Sequence, residues 1–291
     1  MPIRWHEEAP GELREAIRFT GEETGFAPRL IEKDYFCSVI LEALAEADVP
    51  LIFKGGTCLA KVYSGFFRLS EDLDFSIPTA PDSTRRVRSR AVAPVKTIVD
   101  TLPNRIPGFE LLVPLEGHNA STQYNATLGY RSLLVSRTET IQLEIGLREP
   151  ILTPPERAQV HTVLRHWLQG DALLETFPAR CLTYAEAMAE KLRAALSRKE
   201  VAIRDFFDID HAVCVAGLDV AGAELVRLLR AKLAVPGTGA VNVSPERLDD
   251  LRQQVDAQLR PVLRPREFDL FDVDRAFGIV RGVAEGLGYP A

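Results

Sequence analysis

The chain is 291 residues long, 46% hydrophobic and 26% charged, enough for one large core or two modest ones and the wrong mixture for disorder or a fibrous repeat. Its 41 acidic residues outnumber its 35 basic ones, for a formal net charge of −6. That balance argues against a surface coated in phosphate-binding charge and leaves a local basic groove open. In chain order, residues 10–46 read as two helices: Pro10 stands in a first turn, and Ile31, Tyr35, Val39 and Ala43 recur at four-residue spacing. After Pro50 the period changes. Residues 51–53 form a short apolar strand closed by Lys54-Gly55-Gly56-Thr57, with a helix-like segment behind it. Residues 72–77 alternate polar and apolar and stop at Pro78, which marks a half-buried strand. A helix over 85–102 follows, then strands over 109–113, 123–130 and 140–147. From about residue 155 the pattern turns helical. Thr183-x-x-Glu186 is a capping box, in which the Thr oxygen takes an orphan amide and the Glu reaches back to the Thr amide. Further helices begin near Phe206, run over 221–235, and start at Ser244-Pro245.

These elements predict an α+β fold. A small mixed sheet with leading and flanking helices occupies residues 1–150, and a mostly helical half over 151–291 completes an active-site cleft. The N-terminal stretch has no apolar core of signal-peptide length, and no window approaches the ~18 apolar residues of a membrane span. A soluble, cytoplasmic protein without a membrane partner is therefore expected. Cys37, Cys58, Cys181 and Cys214 show no metal-ligand spacing and read as small buried thiols of a reducing compartment. The five His residues have neither HExxH spacing nor carboxylate partners and read as structural or solvated.

The chemistry concentrates between residues 51 and 77. A strand that ends in Gly55 and Gly56 and enters a helix presents backbone amides to an anion, with Thr57 able to add a hydroxyl and Lys54 a charge. Such a turn is also ordinary at strand ends. Asp72 and Asp74 fall on one face of the next strand, while Leu73, Phe75 and Ile77 fill the other. Two carboxylates this close repel unless a divalent cation lies between them. Glu144 lies on the polar face of the strand over 140–147 and adds a third acid. Three carboxylates beside a phosphate cradle suit Mg²⁺ (or Mn²⁺) and two-metal nucleotidyl transfer from an NTP.

The segment FKGGTCLAKVYSGFFRLSEDLDFSI resembles the first motif of the AbiEii/AbiGii toxin family, which takes in the mycobacterial MenT toxins and belongs to the DNA polymerase beta-like nucleotidyltransferase superfamily. Lys33-Asp34-Tyr35 is similar to the family's N-terminal KDY element. Glu190-Lys191-Leu192-Arg193-Ala194 and Arg204-Asp205-Phe206-Phe207-Asp208-Ile209 are similar to its later K-x-x-A and RD-x-[YF]-D motifs. The likeness spans roughly residues 30–215 and leaves the rest unmatched. It implies that Asp72, Asp74, Lys191 and Asp205 serve catalysis and that Lys54, Gly55, Gly56, Thr57, Lys191 and Asp208 hold the nucleotide. The metal set is Asp72, Asp74 and Glu144, of which Glu144 is the least anchored in the family pattern. It further implies the toxin of a toxin–antitoxin or phage-defence pair, a cognate antitoxin partner, and a tRNA 3′ end as acceptor.

Plainer readings stand beside these. Lys191 reads equally as a solvated helix lysine, Asp205 as a helix N-cap, and Lys33 with Asp34 as a surface pair. The acceptor can instead be a protein or small-molecule hydroxyl, and an inactive nucleotide-binding module is the non-enzymatic alternative. A basic groove for RNA would come from Arg85, Arg86, Arg88 and Arg90, or from Arg193, Arg198 and Arg204.

Overall fold

The computed structural model describes residues 4–47, 49–80, 82–135 and 137–290. They divide into two compact units, Met1–Ile151 with Pro155–Leu182, and Leu152–Pro154 with Thr183–Ala291. The first unit holds helices α1 (Trp5–Glu8), α2 (Pro10–Thr24), α3 (Pro28–Ala45), α4 (Gly55–Cys58) and α5 (Arg85–Arg105). Its strands are β1 (Ile52–Lys54), β2 (Leu73–Ser76), β3 (Phe109–His118), β4 (Gln123–Arg131), β5 (Thr138–Gly146), β6 (Glu156–Val160) and β7 (Phe177–Cys181). They join in one seven-stranded sheet of order β3-β4-β5-β2-β1-β7-β6. The sheet is mixed, as the sequence predicts: β1 runs antiparallel to β2, while β2 is parallel to β5 and β1 to β7.

Local chemistry sets the element boundaries. Helix α2 starts with Pro10 in its first turn and stops at Gly25, whose φ of 79° lies in the left-handed region. Thr84 caps α5 by accepting the Val87 amide. Strand β3 runs well past the expected 113, because register shifts between Leu111 and Val113 and between Val113 and Glu116 accommodate Pro114.

The stretch after residue 155 departs from the helical expectation and forms β6 and β7. Both are five residues long, and Pro178 inside the second hides the strand signal. The ladder to β1 is carried at Cys181, opposite Phe53, so Pro178 lies outside it and its missing amide costs that pairing nothing.

One face of the sheet is the core. Phe53, Phe75, Leu143 and Ile145 pack there against Leu13 and Ile17 of α2, Tyr35 and Ile40 of α3, and Val92, Val95 and Val99 of α5. Burying side chains of this size stabilises by roughly 1.5–3 kcal/mol each. The other face carries the polar members of the same alternation, Lys54, Asp74 and Glu144 among them. Cys37, Cys58 and Cys181 are buried, as expected, while Cys214 is exposed.

The second unit consists of α6 (Tyr184–Ser197), α7 (Ile203–Cys214), α8 (Ala223–Leu233), α9 (Pro245–Gln254), α10 (Pro265–Leu270) and α11 (Val273–Gly286). Half of the predicted capping box forms: Thr183 accepts the Glu186 amide. The Glu186 carboxylate turns away instead, to the amides of Leu152 and Thr153 and the Thr153 hydroxyl, and 2.7 Å from it lies Lys232 Nζ. Among the described residues no helix is long and apolar enough to cross a membrane.

Candidate active site

Strand register assembles the site in the first unit. Lys54 on β1 pairs with Asp74 on β2, and Asp74 pairs with Glu144 on β5. Laterally paired residues share a face, so the three form one polar row across three neighbouring strands. Gly55 follows Lys54 at φ 77°, a conformation side chains rarely adopt, and a Cβ there would lie 2.1 Å from Asp74 Oδ2. Glycine is needed for both reasons: the chain turns left-handed and the carboxylate packs directly on its backbone. At Gly56 a Cβ would meet the guanidinium of buried Arg68 at 2.3 Å.

Thr57 has a different part from the one the sequence suggests. Its buried hydroxyl donates to the main-chain carbonyl of Asp72 at 2.5 Å. The hydrogen is spent on fixing the backbone of the first aspartate, so Thr57 ties the glycine turn to the Asp72-x-Asp74 segment.

The Lys33-Asp34-Tyr35 segment is no surface pair. All three residues are buried on α3. Asp34 Oδ1 lies 2.7 Å from Lys61 Nζ, and both side chains are almost fully enclosed. Lys61 also donates to Ser38 Oγ at 2.8 Å. It belongs to the helical turn Leu59–Tyr63 that continues α4, so this pair locks the element behind the glycine turn onto α3. Lys33 Nζ reaches Glu71 Oε1 at 3.4 Å, next to Asp72. Tyr35 hydrogen-bonds His6 Nδ1 at 2.7 Å, and His6 Nε2 meets the Pro107 carbonyl at 3.0 Å. Sequence reasoning missed Lys61, Glu71 and Arg68. The signal for Lys61 was present: a lysine inside the apolar run Cys58-Leu59-Ala60-Lys61-Val62-Tyr63 of a chain with few lysines. Burial pushes the Cys37 thiol up to about 12 and raises that of Cys58 too, which leaves both inert as nucleophiles.

The donor set can be tested against a metal. Among the described residues no three His, Cys, Asp or Glu side chains converge as a ready-made cage. Asp72 and Asp74 offer two carboxylates, which is the protein share typical of Mg²⁺ when substrate phosphates and water fill the remaining positions. The residues therefore fit a cation that arrives with a triphosphate, with Glu144 beside them in the row.

In the second unit, Lys191 on α6 lies 2.7 Å from Asp205 Oδ1 and 2.9 Å from Asp208 Oδ2, both on α7. Arg198 holds the other Asp205 oxygen at 3.1 Å. Asp205 caps nothing: the N-cap of α7 is Ala202, and Asp205 sits in the first turn as an ion-pair partner. Lys191 is likewise no solvated lysine, since its side chain is 14% exposed. The two sequence motifs thus meet as one cluster, with Asp208 fully buried beneath the lysine.

A family model described as the nucleotidyl transferase AbiEii toxin of a type IV toxin–antitoxin system matches residues 39–277. Two solved structures from Helicobacter pylori are similar. A candidate nucleotidyltransferase is 17% identical at a TM-score of 0.53, with 90% of this chain and 98% of that one covered. JHP933 is 18% identical at a TM-score of 0.51, with 90% of this chain and 95% of that one covered. At such identities the likeness speaks for the fold alone. No curated protein matches the chain.

Proposed function

The chain belongs to the AbiEii nucleotidyltransferase toxin family, and from that premise we propose that it transfers a nucleoside monophosphate from an NTP to the 3′ end of a tRNA, as the toxin partnered by an antitoxin protein. The observation that carries the reading is the polar row Lys54–Asp74–Glu144, laid against a Gly55 turn that leaves no room for a side chain. In the reaction the terminal hydroxyl oxygen bonds to the α-phosphorus, the α–β phosphoanhydride breaks, pyrophosphate leaves and the hydroxyl proton passes to solvent. Asp72 and Asp74 would hold a divalent cation, which would acidify that hydroxyl and neutralise phosphate charge. The chain's own residues do the positioning. Gly55 and Gly56 let phosphate approach the backbone, Thr57 fixes the Asp72 main chain, and Lys54 adds a point charge on the same face. Lys191, oriented by Asp205 and Asp208, is assigned to the triphosphate.

The test is incubation of purified protein with Mg²⁺, total tRNA and each labelled NTP in turn, followed by a denaturing gel, with Asp72→Asn and Asp74→Asn run in parallel. Label on tRNA with wild type, and none with either variant at an unchanged melting temperature, supports the reading. Label on protein alone moves the acceptor, and no label with any NTP leaves a nucleotide-binding module.

A further inference from the structure

The acceptor needs a surface that holds its phosphates, and the structure separates three groups of arginines that could supply one. Resting on the tRNA reading above, we propose that Arg157 and Arg180, a cross-strand pair on β6 and β7, form the docking site for the phosphodiester backbone of the RNA acceptor.

The three second-unit arginines that the sequence offers for a groove are already engaged. Arg198 pairs with Asp205, Arg204 donates to the Gln258 carbonyl, and Arg193 has contacts of its own. Arg85, Arg86 and Arg90 are exposed on α5, but that helix buries Val92, Val95 and Val99 in the core with Phe53 and Phe75. It covers the face of the sheet turned away from Asp74. Arg157 and Arg180 differ on both counts. Neither side chain has a hydrogen bond or ion pair among the described residues, both are exposed, and they stand directly opposite each other in the β6–β7 register. Phe53 pairs with Cys181, so alternation puts Arg180 on the face of Ile52 and Lys54, and Arg157 with it. Buried Ala179, Cys181 and Val160 point to the other side.

The result is a line of cations. It begins at Lys54, beside Asp74; the register sets Arg180 next to Ile52, one strand outward and two residues back along it, and Arg157 one strand further at the sheet edge, with about 4.8 Å between strands. Like charges placed directly opposite across strands repel and destabilise. A bridging anion removes that cost, and a chain of phosphates bridges it along the whole line.

The experiment measures binding of total tRNA to the full chain without NTP over a series of KCl concentrations, with melting temperatures recorded alongside. Wild type is compared with Arg157→Ala/Arg180→Ala and with Arg85→Ala/Arg86→Ala. Expected for the β6–β7 double variant is affinity lower by roughly tenfold and a log–log salt slope shallower by about 1.5, the share of two phosphate contacts. Its melting temperature stays level or rises, because a repulsion has been removed. The α5 variant binds as wild type does. Unchanged affinity and slope in the β6–β7 variant, or loss in the α5 variant instead, overturns the assignment. So does loss of antitoxin binding at intact tRNA binding, which makes the pair a protein face. If wild type labels tRNA and the β6–β7 variant labels it with the same KM, only this inference fails. If wild type neither binds nor labels tRNA, the acceptor reading fails with it.

Discussion

Replacing Lys191 with Ala strips a compensating charge from fully buried Asp208, and leaves Asp205 with Arg198 alone. A solvated lysine could be removed without thermal cost, whereas an ion pair broken on one side leaves an uncompensated charge, and about 3 kcal/mol of stability should go with it. Loss of activity in Lys191→Ala is therefore uninformative by itself. The discriminating variant is Lys191→Ala/Asp208→Asn, which lowers the stranded charge. Denaturant melts should show most of the stability recovered while the KM for NTP stays raised. Recovery of both stability and KM would reduce Lys191 to a structural residue. Gly55 is a second position where one atom decides. Gly55→Ala has to displace the Asp74 carboxylate and hold an unfavourable φ, so transfer should fall at least as far as in Asp74→Asn.

Two helical elements fix the carboxylate strand from behind. In the Lys61–Asp34 pair either partner alone is costly to remove, roughly 3–5 kcal/mol, while an apolar pair of similar volume is tolerated far better. Urea titration of Lys61→Met, Asp34→Leu and the double variant should give a large favourable coupling; additive losses would mean the pair does not hold α4 to α3. A second tie gives a pH dependence. Burial holds the His6 imidazole below its usual 6.5, so the unfolded chain takes up the proton first as pH falls. This share of stability is complete above about 6.5 and is lost as pH drops through the lowered folded value. His211 shifts in the same direction, so the quantity to measure is the difference between wild type and His6→Gln. The wild-type melting temperature should fall more steeply between pH 7.5 and 5.5, and parallel curves would count against the tie. Elements with strong periodicity were legible in the sequence: α2, α3, α5, β2, β4 and β5 lie where the pattern puts them. The row of Lys54, Asp74 and Glu144 was half legible, because alternation assigns each residue a face but the register between distant strands is not written locally. The buried partners of Asp34 and the strands after residue 155 were not legible. A buried ion pair looks like two surface charges in sequence, and short edge strands that carry Arg and Pro resemble loops.

For the whole molecule, a transferase harms catalytically and a sequestering module harms by stoichiometry. Titrated expression of wild type beside Asp74→Asn, with tRNA 3′ ends sequenced at each dose, should show growth arrest and extended ends with wild type alone at low dose. Equal arrest by both proteins would point to sequestration. The order of the strands has a consequence of another kind, in time. Strand β1 sits in the middle of the sheet, but its neighbours are made far apart: β2 soon after it, and β7 only at residues 177–181. At 5–20 residues per second, the ribosome needs roughly 5–20 s to cover the 100 residues between them. Through that interval the nascent chain carries a central strand with one unpaired edge, an open template for another strand. A message cut short before β7 would yield a fragment whose sheet ends at the bare edge of β1, so the newly made chain is most vulnerable to aggregation before the last strands emerge, and a chaperone has its opening in the same seconds.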